Sequence, residues 1–143
     1  MSGRYHGVTY FLTFSFMRSV NKVVMMGHLA NDPEVKATKN GHAMAKFNIA
    51  TNRDWKGSEG ERHESTDFHR IVAWKKLAEI CGQYLKKGAG VYLEGRLTNR
   101  HYQDKEGVER SLTEIVADTI NFITLKKTNN VEEVNLVEVP ATT

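Results

Sequence analysis

Cysteine and long apolar runs are scarce in this sequence, and each scarcity excludes a class of protein. The single cysteine, Cys81, rules out an intramolecular disulfide and a CxxC zinc knuckle, and a free thiol suits a reducing cytosol. No run reaches the roughly 18 apolar residues that a membrane-spanning helix needs. A glycine-rich phosphate loop and a GxSxG nucleophile motif are also missing. We therefore expect a cytoplasmic protein without a disulfide, a membrane-spanning helix or a phosphate-binding loop.

Charge is unevenly distributed along the 143 residues, a length that fits one compact domain. The whole chain carries a net charge of +3, but residues 17–127 hold 19 Lys and Arg against 14 Asp and Glu, a net charge of +5. The residues that follow contain Glu132, Glu133 and Glu138 and no base. A moderately basic centre is compatible with a polyanionic partner, although many enzymes are equally basic.

The hydrophobic pattern predicts five strands and one helix. We expect strands at residues 21–30, 43–52, 66–74, 91–97 and 112–125, the fourth with Val91, Leu93 and Leu97 on one face. Between the third and fourth strands the period changes, and a short helix is predicted by the helical spacing of Leu77, Ile80, Cys81, Tyr84 and Leu85. Residues 54–65 are polar and predict a long flexible loop, whereas residues 104–107 predict a hairpin turn with Gly107 at the left-handed position.

This order of elements is that of the OB-fold, an all-β, five-stranded Greek-key barrel with a helix between strands three and four. We assign the OB-fold to residues 17–127 and predict a flexible tail over residues 128–143. Residues 1–16 are aromatic-rich and form an N-terminal extension. An additional strand or an upstream extension explains them better than a secretory signal, because a cleavage site of small residues is missing.

The third predicted strand carries the features that suggest a ligand. Alternation places Phe68, Arg70, Val72 and Trp74 on one face, whereas His69, Ile71 and Ala73 take the other. Aromatic rings beside a guanidinium suit unstacked bases and their phosphates, and such stacking needs no sequence readout. The competing interpretation is that strand aromatics such as Phe68 belong to the core.

Two more aromatic residues lie beside basic residues in predicted loops. Trp55 lies between Arg53 and Lys56, and Tyr102 lies near Arg100. Loops run over the surface, so these rings are unusual for a core. We expect a stacking platform formed by Trp55, Phe68, Trp74 and Tyr102. An oligomer interface is the alternative for Tyr102.

A metal site is a weaker hypothesis. His63, Glu64, Asp67 and His69 cluster in the sequence, but closed metal sites need ligands that converge. The predicted loop and the strand alternation do not bring these four side chains together. We therefore expect no metal, no cofactor and no catalytic residues.

Three segments resemble the bacterial single-stranded DNA-binding protein family. Residues 20–35, VNKVVMMGHLANDPEV, are similar to its first strand and turn. Residues 67–85, DFHRIVAWKKLAEICGQYL, are similar to its third strand and helix, and residues 87–97, KGAGVYLEGRL, to its fourth strand. The segments occur in the family's order, and the agreement extends over residues 17–127.

The resemblance implies a homotetramer of OB barrels that wraps single-stranded DNA without sequence preference. It places Trp55, Phe68, Trp74 and Tyr102 at the base-stacking positions and Arg70 at a basic position beside them. It also makes Lys75 and Arg100 plausible phosphate contacts.

The end of the chain departs from the family. Members commonly end in an acidic tip that recruits replication and repair enzymes, whereas this sequence ends VEEVNLVEVPATT. The resemblance therefore leaves protein recruitment through such a tip in doubt.

The function expected from the sequence is the binding and protection of single-stranded DNA during replication, recombination and repair, in the cytoplasm on the nucleoid. One alternative is an OB-fold replication-restart accessory that acts mainly through protein partners. A metal-assisted nuclease that uses the cluster from His63 to His69 is another. Single-stranded RNA is a further candidate ligand, because nothing in the sequence reads a 2′-hydroxyl.

Overall fold

The computed structural model describes residues 18–128 and 131–138, with side chains described as far as residue 123. The predicted extension over residues 1–16 lies outside this part of the chain. The described backbone forms seven strands and one helix: β1 Val23–Leu29, β2 Glu34–Ala37, β3 Ala43–Lys56, β4 Arg62–Trp74, α1 Lys75–Tyr84, β5 Gly90–Gln103, β6 Glu109–Thr128 and β7 Val131–Glu138. None of the described residues belongs to a helix that is long and apolar enough to cross a membrane.

Five of these strands close into a barrel. β1 pairs with β5, β5 with β6 and β3 with β4, all antiparallel. A parallel contact between β6 and β4 and a short antiparallel contact between β1 and β3 complete the circle. A Cβ atom at Gly27 would collide with the carbonyl of Ala50, so glycine permits the close approach of β1 to β3. The predicted OB-fold is confirmed.

Alternating apolar residues fill the barrel, as the sequence predicts. Ala45, Phe47 and Ile49 of β3 and Val91 and Leu93 of β5 are all buried. Inward side chains from every strand of the barrel meet in one core cluster. Burial of this apolar surface is the main force that stabilises the fold.

Helix α1 follows β4 without a loop and covers one end of the barrel. Leu77, Ala78 and Cys81 are its buried residues, and burial raises the pKa of the Cys81 thiol to about 12. This thiol is therefore protonated at neutral pH and behaves as a small apolar group. Tyr84 belongs to the predicted apolar stripe, but its side chain is exposed because it lies in the last turn of the helix.

A β-bulge interrupts the pairing of β5 with β6. Glu94 pairs with Thr119 and Gly95 pairs with Ala117, so Asp118 has no partner opposite it. Such an extra residue bends the strand and increases its twist. After this point, β5 and β6 extend beyond the barrel as a two-stranded hairpin.

Leu97 is the exception to the predicted interior face of β5. The sequence places it with Val91 and Leu93, but it is 45% exposed. The pairing of β1 with β5 ends at Gly95, so within the described residues no strand pairs with β5 on that side of the hairpin that follows. We call this hairpin, residues 96–116, the β5–β6 arm; its turn, with Gly107 at a φ of 78°, is as predicted.

The flexible loop predicted over residues 54–65 is wrong for most of its length. β3 and β4 remain paired as far as Lys56 and Arg62, and only five residues form the turn. Gly57 and Glu61 close this turn by a backbone hydrogen bond of 2.8 Å. The polar composition of this segment does not indicate a strand, because both faces of the hairpin lie outside the core and neither needs apolar residues. We call residues 51–67 the β3–β4 arm.

Two strands are additional to the predicted five. β2 pairs with β3, and β7 pairs with β6 along residues 121–128. β7 falls within the segment for which the sequence predicts a flexible tail, so the structure differs there from the expectation. Its sequence, VEEVNLVE, contains three valines, which favour an extended backbone.

Candidate nucleic-acid interface

The β3–β4 and β5–β6 hairpins are joined where β4 pairs with β6, and they separate beyond that contact. β4 pairs with β6 only at Ile71 opposite Ile115 and at Val72 opposite Val116. Beyond these pairs the β3–β4 hairpin and the β5–β6 hairpin diverge around a cleft of about 260 Å³. One side of the cleft includes Lys46, Asn48 and Arg70, and the other includes Arg100, Leu112 and Glu114. The cleft therefore brings basic and amide groups of β3 and β4 together with those of the β5–β6 arm.

Phe68 and Trp74 lie on the same face of β4 as Arg70. The pairing register places Phe68 opposite Ala50, Arg70 opposite Asn48, and Trp74 opposite Met44. Phe68 is 66% exposed and Trp74 is 41% exposed, so neither ring belongs to the core. Large apolar rings are expensive to leave in water, and this exposure is typical of a binding surface. The core interpretation of Phe68 is thus wrong.

Apolar side chains also approach Phe68 from the β5–β6 arm. A second cleft of about 250 Å³ is lined by Phe68, by Leu97 and Leu112, and by Ile115, where β6 pairs with β4. Leu97, which departs from the predicted core, is therefore part of the apolar lining beside the exposed ring. A flat aromatic ligand could contact Phe68 and this lining together.

Arg100 and Tyr102 lie on one face of the β5–β6 arm, since they are two residues apart on β5. Tyr102 is 47% exposed, and Arg100 lines the cleft described above. The Arg100 guanidinium lies 3.2 Å from Oε1 of Glu114, whose side chain is largely buried. This ion pair holds the guanidinium beside the cleft.

The turn of the β5–β6 arm is fixed by one carboxylate. Asp104 accepts hydrogen bonds from the backbone N–H of Glu106 and of Val108, at 2.9 and 3.0 Å. It also accepts one from Nε of Arg110, at 3.0 Å. These bonds, the one from Arg110 foremost, hold the pKa of Asp104 below its usual value. Tyr102 is thereby carried by a well-ordered hairpin end.

Trp55 lies on the other face of the β3–β4 arm. Its partner across the hairpin is His63, and strand alternation places both on the face opposite Phe68. The two rings stack with their centroids 5.4 Å apart and their planes 21° apart. The guanidinium carbon of Arg53 lies 5.0 Å from the Trp55 ring centroid. The four predicted rings therefore do not form a single platform.

Lys75 occupies the corner between β4 and α1. Its φ of 55° is in the left-handed region, which is uncommon for a residue other than glycine. The turn it makes lets the chain enter the helix directly after Trp74. The side chain of Lys75 is exposed, and it lies directly after Trp74, the second exposed ring on this face of β4.

The structure separates the residues of the metal hypothesis. Glu64 alternates with His63 and faces the other side of the arm. His63 contacts Trp55 and Glu61, and His69 forms a hydrogen bond of 2.8 Å with the Thr51 hydroxyl. Among the residues whose side chains are described, no three His, Cys, Asp or Glu are placed to share a metal ion.

Three contributors to the interface were not predicted. Lys46 and Asn48 alternate outward on β3, and this pattern could have placed them on the face that Val72 and Arg70 share, opposite those two residues. The stacking of His63 on Trp55 gave no usable signal, because the segment between them has the composition of a loop.

Comparisons with known proteins agree with this geometry. The family model described as "single-strand binding protein family" matches residues 20–123. A protein named single-stranded DNA-binding protein, from Neisseria meningitidis serogroup A, is 49% identical over 105 residues, which are 73% of this chain and 60% of that protein. Single-stranded DNA-binding protein 1 of Chlorobaculum tepidum is 48% identical over 110 residues, which are 76% of this chain and 68% of that protein. The chain thus spans about three fifths of the length of the Neisseria relative.

A solved structure gives the same result for the fold. The Plasmodium falciparum SSB in complex with single-stranded DNA superposes with a TM-score of 0.69 at 30% sequence identity. The match covers 76% of this chain and 98% of the Plasmodium chain.

Acid should loosen the end of the β5–β6 arm before it unfolds the barrel. The pKa of Asp104 is lower in the folded arm than in the unfolded chain, so this carboxylate stabilises the turn above its unfolded pKa. The stabilisation is lost as the pH falls through the folded pKa. We expect lower protection of the Glu106 and Val108 amides against hydrogen exchange, relative to their intrinsic rate at the same pH, below about pH 4. Nuclear magnetic resonance of these amides would measure it.

The matched control is Asp104→Asn, which keeps the side-chain shape but removes the titration. This variant should have a loosened turn at neutral pH and no further change in acid. Equal acid sensitivity of both proteins would show that another group controls the turn.

Proposed function

The chain belongs to the single-strand binding protein family, and we propose that it binds single-stranded DNA without sequence preference. The observation that carries the proposal is the exposure of Phe68 and Trp74 on either side of Arg70, beside a cleft lined by β3, β4 and the β5–β6 arm. Every base has a face that can stack on such a ring, and stacking contributes about 1–3 kcal/mol per base. Duplex DNA keeps its bases stacked internally, so a single strand is the preferred ligand.

Basic side chains supply the second half of the proposed binding energy. Lys46, Arg70 and Arg100 line the cleft, and Lys75 follows Trp74 at the corner, and these positions support contacts to phosphates. The pairing of Arg100 with Glu114 leaves its guanidinium about half exposed, so a phosphate can share it. Binding should weaken as salt rises, because these cations displace condensed counterions from the DNA.

We propose a binding protein and not an enzyme. The histidines that suggested a nuclease are engaged elsewhere, His63 with Trp55 and His69 with Thr51. Coating a single strand requires only stacking and charge neutralisation, and it blocks re-pairing and nuclease attack. The corresponding role is protection of single-stranded DNA during replication, recombination and repair in the cytoplasm, on the nucleoid.

The outer face of β1 supports a homotetramer. Val24 and Met26 are 56% and 62% exposed, and a cleft of about 580 Å³ opens beside Met26 and His28. Residues 23–27 of β1 pair with β5 on one side and, within the described chain, have no strand on the other. An apolar face with an open strand edge suits a second copy. Assembly of four copies would let one DNA strand wrap several binding surfaces.

Replacing the exposed ring of Phe68 tests the proposed DNA surface. Phe68→Ala should weaken binding of oligo-dT by about 5- to 150-fold, the loss of one base-stacking contact. The measurement is fluorescence anisotropy of a labelled oligonucleotide at fixed salt.

Tyr84→Ala is the matched control, since Tyr84 is an exposed aromatic residue on α1, away from both arms. It should bind as tightly as the unchanged protein. Equal affinities of all three proteins would remove the Phe68 face from the interface and favour a role through protein partners.

Assembly is tested by placing a charge on the outer face of β1. Met26→Asp should reduce the mass in solution from a tetramer to a smaller species, because it buries a carboxylate in the proposed interface. Sedimentation velocity measures this directly. Val108→Asp, which charges an equally exposed valine at the turn of the β5–β6 arm, should leave the tetramer intact. A monomeric unchanged protein would overturn the assembly.

A further inference from the structure

Arg110 lies on the face of the β5–β6 arm that carries Arg100 and Tyr102. It belongs to β6, and the pairing register places it directly opposite Tyr102 of β5. Side chains of directly opposed residues share one face of a sheet. Arg100, two residues before Tyr102, is on that face too and lines the cleft beside Arg70. Arg110 therefore continues the basic face of the arm beyond the cleft, towards the turn.

A carboxylate of the turn holds the Arg110 side chain in place. Oδ2 of Asp104 accepts the hydrogen bond from Nε of Arg110, at 3.0 Å. Oδ1 of the same carboxylate accepts the two backbone N–H groups of the turn. The side chain of Asp104 is 23% exposed and that of Arg110 is 58% exposed. The carboxylate thus belongs to the turn, whereas much of the guanidinium faces solvent.

The geometry of this pair leaves one edge of the guanidinium open. Asp104 occupies Nε alone, and among the side chains that the structure describes none is bonded to Nη1 or Nη2 of Arg110. These two nitrogens present a planar pair of N–H donors, which matches two oxygens of one phosphate. A phosphate can therefore bind Arg110 without displacing Asp104.

The arginine at the end of the other arm is engaged differently. Nη2 of Arg62 lies 2.9 Å from Oδ2 of Asp54, and its Nε lies 3.7 Å from Oε1 of Glu64. Carboxylates contact this guanidinium from two sides, so a phosphate would have to compete with both. Of these two arginines, Arg110 is the one that offers a free edge.

We propose that Arg110 binds a DNA phosphate beside Tyr102, and that Asp104 is a positioning residue that aims the open edge of the guanidinium at the strand. The inference rests on the proposed binding of single-stranded DNA and deepens it. Arg100 flanks Tyr102 along β5, and Arg110 flanks it across the hairpin. A base on Tyr102 would thus have a cation on each side of its ring for the adjoining phosphates.

The test of Arg110 is the affinity for labelled oligo-dT over a range of salt concentrations, in the full chain at neutral pH. Arg110→Gln should lower the affinity by about two- to fivefold, the effect of one exposed ion pair. It should also reduce the slope of log affinity against log salt concentration by about 0.7, the effect of one lost phosphate contact on a single strand. Arg110→Lys should restore the slope, because it restores the charge, but not the full affinity, because it lacks the fork.

Lys105→Gln is the matched control for charge. Lys105 is exposed in the same turn, between the paired strands, so this variant removes one positive charge from the same end of the arm. It should change the salt slope less than Arg110→Gln does. Equal slopes in the two variants would show that diffuse charge acts here, and would overturn the phosphate contact.

The proposal gives Asp104 an effect opposite in sign to that of an ordinary carboxylate. A carboxylate near a phosphate repels it, so its removal should tighten DNA binding. Asp104→Asn should instead weaken binding, because a neutral amide holds the guanidinium less firmly. Glu106→Gln removes the same charge from an exposed position in the same turn and should bind as tightly as the unchanged protein or more tightly. Tighter binding by Asp104→Asn would overturn the positioning role.

A double variant separates positioning from a general loosening of the turn. In the Arg110→Gln protein, Asp104→Asn should cause no further loss of affinity, because the guanidinium that Asp104 holds is gone. A further loss as large as in the unchanged protein would show that Asp104 acts through the turn, and would overturn its positioning role.

The two proposals fail in different ways. Binding of oligo-dT by Arg110→Gln with the affinity and the salt slope of the unchanged protein would overturn the Arg110 contact alone. An absence of binding by every variant, the unchanged protein included, would overturn the proposed function and the contact with it.

Discussion

The parallel contact between β4 and β6 is the constraint on which the rest of the structure depends. It comprises two residue pairs, Ile71 with Ile115 and Val72 with Val116, and it closes the barrel. Ile71, Val72 and Ile115 are all buried there. Because the contact is so short, the strands separate on leaving it, and each continues in its own hairpin arm. The cleft, the exposed ring of Phe68 and the separation of the arms all follow from that geometry.

How much could be predicted from the sequence depends on distance from the core. Alternation located Ala45, Phe47 and Ile49 correctly, because each inward side chain is buried by the barrel. Alternation also separated Phe68 from Ile71, since only one of the two faces has a core to bury it. The alternation of apolar and polar residues disappears where a hairpin leaves the barrel, because both of its faces are then exposed to solvent and polar residues are tolerated on each. Such an arm is held mainly by hydrogen bonds between the backbones of its two strands, and these bonds do not require a recognisable amino-acid composition.

The position of Trp55 shows the consequence for the site. Its basic neighbours correctly indicate a surface ring, but the face it occupies depends on the register of an arm predicted as a loop. That register places His63 next to Trp55 on the same face of the arm and Phe68 on the opposite face. The proposed interface is therefore a ribbon with rings on both faces, and not a flat platform. A flexible single strand can follow such a surface, whereas a stiff duplex cannot bend around an arm only two strands wide.

The measurement that tests this account most directly uses the two tryptophans as separate reporters. Trp55→Phe leaves Trp74 as the sole emitter, and Trp74→Phe leaves Trp55. During titration with oligo-dT, the tryptophan fluorescence of both single-tryptophan proteins should fall, and it should level off at the same amount of added DNA. Duplex DNA of equal length should cause little change. Quenching of Trp74 alone, with Trp55 unaffected at saturation, would confine the DNA to one face of the arm. Unchanged emission from both, while anisotropy shows that the DNA is bound, would contradict the account.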